Sequence, residues 1–146
     1  MSARFNRFIR AFVIFGMAGV LAGCGSHYVA PTDAPETLAT VRGPIMTIEG
    51  KRVAEKILGV VSSEPVQVGP GPRRFSFGNY FTDLNCTLQI EAGNSYEFAL
   101  ETYLDTTRLK MNNETTHRIT YFDATKQIFY DDANQLLPKP NGPFAP

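Results

Sequence analysis

Two cysteines and two histidines are the residues of this chain best suited to covalent or acid–base chemistry: Cys24, Cys86, His27 and His117. A thiolate is a far better nucleophile than a hydroxyl near neutral pH, so each thiol is a place where a bond could form. Cys24 ends the run Leu21-Ala22-Gly23-Cys24, whose small residues let an extended backbone enter a peptidase site. Cys86 is different. No Lys, Arg or His lies within ten residues of it, so nothing local lowers its pKa, and it reads as a small, buried apolar side chain. A Ser-His-Asp or Cys-His site would have to use His117, because His27 stands in the polar segment just after Cys24. Yet no nucleophile sits in a G-x-S-x-G elbow, and His117 closes the polar stretch Asn112-Asn113-Glu114-Thr115-Thr116-His117, which reads as a solvated loop. There is no C-x-x-C, no H-x-x-x-H and no phosphate-binding glycine motif. Asp131-Asp132-Ala133-Asn134 lacks the alternating acids and shaping glycine of a calcium loop. These patterns predict no catalytic residue, no metal site, no cofactor and no enzyme.

The elements before Cys24 explain its position. Arg4, Arg7 and Arg10 make a positive start with no acid, and residues 11–22 are apolar or glycine throughout. A membrane-crossing helix needs about 20 apolar residues, so this run has the length of a signal-peptide core instead. The order resembles the leader of a bacterial lipoprotein, with Leu21–Cys24 as its lipobox. The resemblance implies cleavage after residue 23, a diacylglyceryl group on the Cys24 sulfur and an acyl chain on the new amino group. One chain holds a protein on a membrane only marginally, whereas several hold it firmly. Gly25, rather than an aspartate, follows Cys24. By resemblance to enteric lipoproteins this implies the inner leaflet of the outer membrane, with the domain in the periplasm. A lipidated Cys24 also leaves Cys86 without a partner in its own chain.

Cleavage there leaves 123 residues and removes three arginines, so 11 basic side chains face 14 acidic ones, a formal charge of −3. An acidic domain of this size excludes the basic footprint of a nucleic-acid binder. It fits one domain with a modest core.

Periodicity favours strands. Phe75, Phe77, Asn79 and Phe81 alternate with Arg74, Ser76, Gly78 and Tyr80; Leu88 and Ile90 alternate with Thr87 and Gln89; Tyr96, Phe98 and Leu100 alternate with Glu97 and Ala99. Ile119–Phe122 and Ile128–Tyr130 flank Asp123-Ala124-Thr125-Lys126 as a hairpin. Val41 and Ile45–Ile48 read as strands around Gly43-Pro44. Glu49-Gly50-Lys51 reads as a tight turn, and Gly69-Pro70-Gly71-Pro72 as a break. Val53, Ile57 and Leu58 share a helical face, which predicts one or two helical turns over 51–58. The expected architecture is all-β, a small antiparallel β-sandwich of about seven strands over residues 38–133. It is preceded by a cleaved leader (1–23) and a lipidated, flexible tether (24–37). A Pro-rich tail (134–146) follows, which Leu136, Leu137 and Phe144 could pin to the domain.

Met46-Thr47-Ile48-Glu49-Gly50-Lys51-Arg52, then Pro70-Gly71, then Ala92-Gly93-Asn94-Ser95-Tyr96 is similar to a group of small, uncharacterised β-sandwich envelope lipoproteins. The likeness rests on turn signatures over roughly residues 38–104 and implies a fold, not a chemistry. Arg73, Arg74 and Tyr80 surround interleaved phenylalanines and are the candidate partner-binding residues; an exposed edge strand there would admit strand addition. The expected function is a non-enzymatic binding or scaffolding module. It would be held on a membrane by its lipid and face an envelope protein or peptidoglycan. The alternative is an accessory, inhibitor or chaperone-like subunit of an envelope or secretion complex.

Overall fold

The structure, a computed structural model, describes residues 26–54, 57, 59–61, 63–80 and 82–140. The expected leader (1–23), Cys24, Leu58, Phe81 and Phe144 lie outside the described residues. Among the described residues eleven strands run in chain order: β1 (Ala39–Gly43), β2 (Ile45–Ile48), β3 (Lys51–Arg52), β4 (Ser63–Val68), β5 (Gly71–Gly78), β6 (Asp83–Ile90), β7 (Ser95–Tyr103), β8 (Thr106–Asn113), β9 (Arg118–Asp123), β10 (Ile128–Asp131) and β11 (Leu136–Leu137). They form a seven-stranded sheet in the order β11-β10-β9-β8-β7-β1-β4 and a four-stranded sheet in the order β3-β2-β5-β6. The all-β reading holds. The four strands beyond seven are β3 and β11, two-residue pieces too short to leave a periodic signal, and β4 and β8. One pair is parallel: Thr40, Val41 and Arg42 of β1 lie beside Ser95, Tyr96 and Glu97 of β7.

Alternation decides what is buried. Phe75 and Phe77 of β5 meet Phe98 of β7 across the two sheets, with ring centroids 5.5 and 5.0 Å apart. Ile45, Ile48, Leu84, Leu88 and Ile90 come from the small sheet; Val41, Val68, Tyr96, Leu109, Phe122 and Phe129 come from the large one. Burial of such side chains contributes about 1.5–3 kcal/mol each, which makes this single core the main support of the fold. The chain passes between the sheets at Gly43-Pro44. Gly43 adopts φ 135°, and a Cβ there would collide with the Phe98 carbonyl.

Three of the hairpin turns share one device. Asn113 Oδ1 accepts from the backbone N–H groups of Thr115 and Thr116, Asp123 Oδ1 from Thr125 and Lys126, and Asp131 Oδ1 from Ala133 and Gln135. Each turn then ends with a residue in the left-handed region: His117 at φ 59°, Gln127 at 55°, Asn134 at 61°. An Asx side chain stands in for a missing backbone acceptor, and a left-handed residue returns the chain to its sheet.

Three expectations are corrected. Lys51 and Arg52 extend the small sheet against Thr47 and Ile48 rather than starting a helix, and Ile57 bridges Val60; residues 55, 56 and 58 lie outside the described residues. The tight Glu49-Gly50 turn, with φ of 51° and 75°, dictates this by reversing the chain directly into a hairpin. β5 is not an edge, because β2 and β6 pair on its two sides. The segment after residue 25 is not free of the domain. His27 bridges Arg52, the Tyr28 N–H donates to the Arg52 carbonyl at 2.8 Å, and the Arg52 N–H donates to the Ser26 carbonyl at 3.0 Å.

Candidate binding surface

Arg73, Arg74 and Tyr80 do not form one patch. The Arg73 guanidinium folds back onto its own turn, donating to the Gly69 carbonyl at 3.0 Å and the Pro70 carbonyl at 2.8 Å. Arg74, the next residue, points to the other face of the strand and is exposed. Its N–H donates to Glu49 Oε1 at 2.9 Å, and its carbonyl accepts from the Glu49 N–H at 2.8 Å. Tyr80 lies beyond the far end of β5, roughly 20 Å along an extended chain from Arg73. It is 70% exposed, with its ring over Gly59.

The arginines instead join a basic rim around the docked start of the domain. Tyr28 is half-buried, and its hydroxyl donates to the Gln67 carbonyl at 2.9 Å. Burial raises its phenol pKa, with Arg73 pulling the other way. Two shallow clefts flank Tyr28. One, of about 170 Å³, is lined by Val29, Glu49, Lys51 and Arg73 among others; the second, of about 350 Å³, by His27, Arg52, Val53 and Gln67. Lys51 and Arg52 are both exposed.

A second surface covers the outer face of the large sheet. Arg108 Nε donates to Glu101 Oε2 at 2.6 Å, and Arg108 Nη1 to the Tyr130 hydroxyl at 3.3 Å. The same guanidinium sits 4.3 Å from the centroid of Tyr121, which stacks on Tyr130 at 5.3 Å. The Tyr130 hydroxyl and the Glu101 carboxylate hold the guanidinium charged and raise its pKa further. A half-open cleft of about 710 Å³ runs from Glu101, Arg108 and Tyr130 to Tyr103 and Thr106. Beyond it the β7–β8 turn carries Tyr103 and Leu104, 79% and 89% exposed, with Leu104 at φ 53°. A guanidinium fixed over one tyrosine ring and bonded to the hydroxyl of the next is suited to holding a carboxylate, a sugar face or a peptide backbone. The signal for this surface lay in the alternation: once Phe122 and Phe129 face inward, Tyr121 and Tyr130 must face outward.

The groups weighed for catalysis are placed elsewhere. Cys86 is buried on β6 opposite Phe75, a free thiol whose pKa burial pushes up. His117 is exposed at the β8–β9 turn. Among the described residues no three His, Cys, Asp or Glu side chains are grouped to hold a metal ion, and no helix is long and apolar enough to cross a membrane. Comparison with family models, with curated proteins and with solved structures finds no match for this chain.

Proposed function

We propose that this chain is a lipid-anchored envelope protein whose β-sandwich serves as a non-enzymatic binding or scaffolding module in the periplasm, held on the outer membrane through Cys24. One observation carries the reading: Arg4, Arg7 and Arg10, the apolar run 11–22 and Leu21-Ala22-Gly23-Cys24 occur in the order and spacing of a lipoprotein leader. The use made of polar side chains supports it. Asn113, Asp123 and Asp131 spend their oxygens on turns, and Arg73 on its own loop. The larger cleft, where Arg108 lies over Tyr121 and donates to the Tyr130 hydroxyl, offers contacts for a ligand.

The test is the mass of the mature N-terminus from detergent-extracted membranes. A triacylated Cys24 is expected; an unmodified Cys24, or a Cys24→Ser protein that is still processed and membrane-bound, overturns the anchor. A second reading, an accessory subunit of an envelope or secretion complex, is favoured by the exposed Tyr103-Leu104 tip. Cross-linking in intact cells separates the two. One stoichiometric protein partner favours the accessory subunit; peptidoglycan or lipid alone favours the scaffold.

A further inference from the structure

The docked start of the domain has a consequence for how the protein sits on its membrane. Cys24 precedes Ser26 by two residues, and two extended residues span at most about 7 Å. Ser26 is already bonded to the domain, since its carbonyl accepts from the Arg52 N–H at 3.0 Å. An acylated Cys24 lies at headgroup level, so β3 must lie close to that level too. No free spacer stands between lipid and fold.

The side chains brought there are basic. Lys51 and Arg52 occupy β3, and Arg73 lines the same small cleft as Lys51, beside Tyr28. Arg74 reaches the Glu49-Gly50 turn, where its Nη2 would stand 3.4 Å from a Cβ on Gly50. Glu49 is the acid among them, and Asp33 follows on the docked segment. Four of the 11 basic residues after the leader are thus gathered at one end of a domain whose net charge is negative. Val29, 78% exposed, projects from the same segment. Cations within a Debye length of an anionic surface, about 8–10 Å at moderate salt, are drawn to it, while the acidic remainder is repelled.

We infer that Lys51, Arg52, Arg73 and Arg74, set on both sides of the small sheet around its β3 edge, make that end of the domain a docking face for anionic phospholipid headgroups of the membrane that holds Cys24, fixing the domain with β3 down rather than letting it swing. The inference rests on the anchor proposed above. It also fixes the far end. The Tyr28 hydroxyl meets Gln67, which pairs with Thr40, and Thr40 lies beside Ser95 at the start of β7. The Tyr103-Leu104 tip is at the other end of that strand, roughly 26 Å away.

The test uses acylated protein reconstituted in vesicles of phosphatidylcholine, with and without phosphatidylglycerol. A fluorophore is attached through Val29→Cys or, separately, Leu104→Cys, the buried Cys86 thiol being out of reach of the label. Quenching by headgroup-labelled lipid reads the height of each. The Val29 position should be strongly quenched with phosphatidylglycerol and the Leu104 position should not. Charge reversal by K51E and R52E should lower the docked population at least about tenfold on anionic vesicles, each cation there being worth about fivefold. The reversed protein should match the parent on neutral vesicles. Equal quenching at both positions, or quenching indifferent to phosphatidylglycerol and to charge reversal, overturns the docking face. The intact mass of the same sample separates the two readings. An acylated Cys24 with indifferent quenching overturns the docking face alone, and an unacylated Cys24 overturns the anchor and this orientation with it.

Discussion

Gly43 lies directly against the main chain of Phe98, so the crossing from one sheet to the other runs through a space that holds no side chain. Its φ of 135° adds a second reason for glycine. Gly43→Ala should destabilise the domain by about 2–3 kcal/mol through overpacking and backbone strain. A denaturant midpoint equal to that of the parent would show that β1 and β7 can separate without cost.

Cys86 is 4% exposed and faces the core from β6. It should resist thiol reagents in the native state and react fully in denaturant. Cys86→Ser buries a hydroxyl and should lose about 1–3 kcal/mol. Its pH behaviour follows from burial, which raises the thiol pKa above its ordinary value of 9.0. Stability from this group is complete below that value and falls as the unfolded thiol ionises, by about 1.4 kcal/mol per pH unit. Between pH 9 and 10 the thiol contributes more of the slope than the Tyr28 phenol, which burial also raises but from an ordinary value of 10.0. Cys86→Ala should flatten the slope of stability against pH in that window.

Leu104 combines φ 53° with nearly full exposure. The left-handed conformation costs an L-residue about 1–2 kcal/mol, and glycine's extra freedom when unfolded offsets part of the gain. Leu104→Gly should therefore stabilise the domain by about 0.5–1 kcal/mol. A lower melting temperature would mean that the leucine packs on something in the folded domain.

Asp123 is 8% exposed and accepts two backbone N–H bonds at 2.9 Å each. Removing the acceptor in Asp123→Ala should cost about 1 kcal/mol, because two backbone donors of the turn lose their partner. Asp123→Asn keeps the oxygen and should recover most of it. Equal losses in the two variants would assign the effect to charge rather than to turn geometry.

Much of the core could be read from the chain because its strands obey a period of two. Phe75, Phe77, Leu88, Tyr96 and Phe98 are all buried, as alternation requires. Where the signal failed, a physical reason is visible. β4 contains Pro65, which argues against a strand, yet β4 is the edge of the large sheet, where a missing N–H is tolerated. β8 hides behind a polar sequence in which Leu109 is its one buried large apolar residue. Lys51 to Leu58 mimics a helix because i, i+4 spacing also arises by chance over eight residues, and the Glu49-Gly50 hairpin overrides it. Arg73 and Arg74 were legible as neighbours, but neighbours on a strand face opposite ways. Arg108, Tyr121 and Tyr130 come from three strands, so no local window could unite them.

The large sheet ends at Leu136-Leu137, paired to Tyr130 and Phe129. Pro138 and Pro140 follow at once. A bare β10 would offer its open N–H and C=O groups to any passing chain. The two-residue β11 occupies that row, and the prolines after it cannot extend the ladder because they lack an N–H. Under the anchor proposed above, neighbours would meet often and in similar orientations, and this stub would act as a terminator against strand addition at the β10 edge.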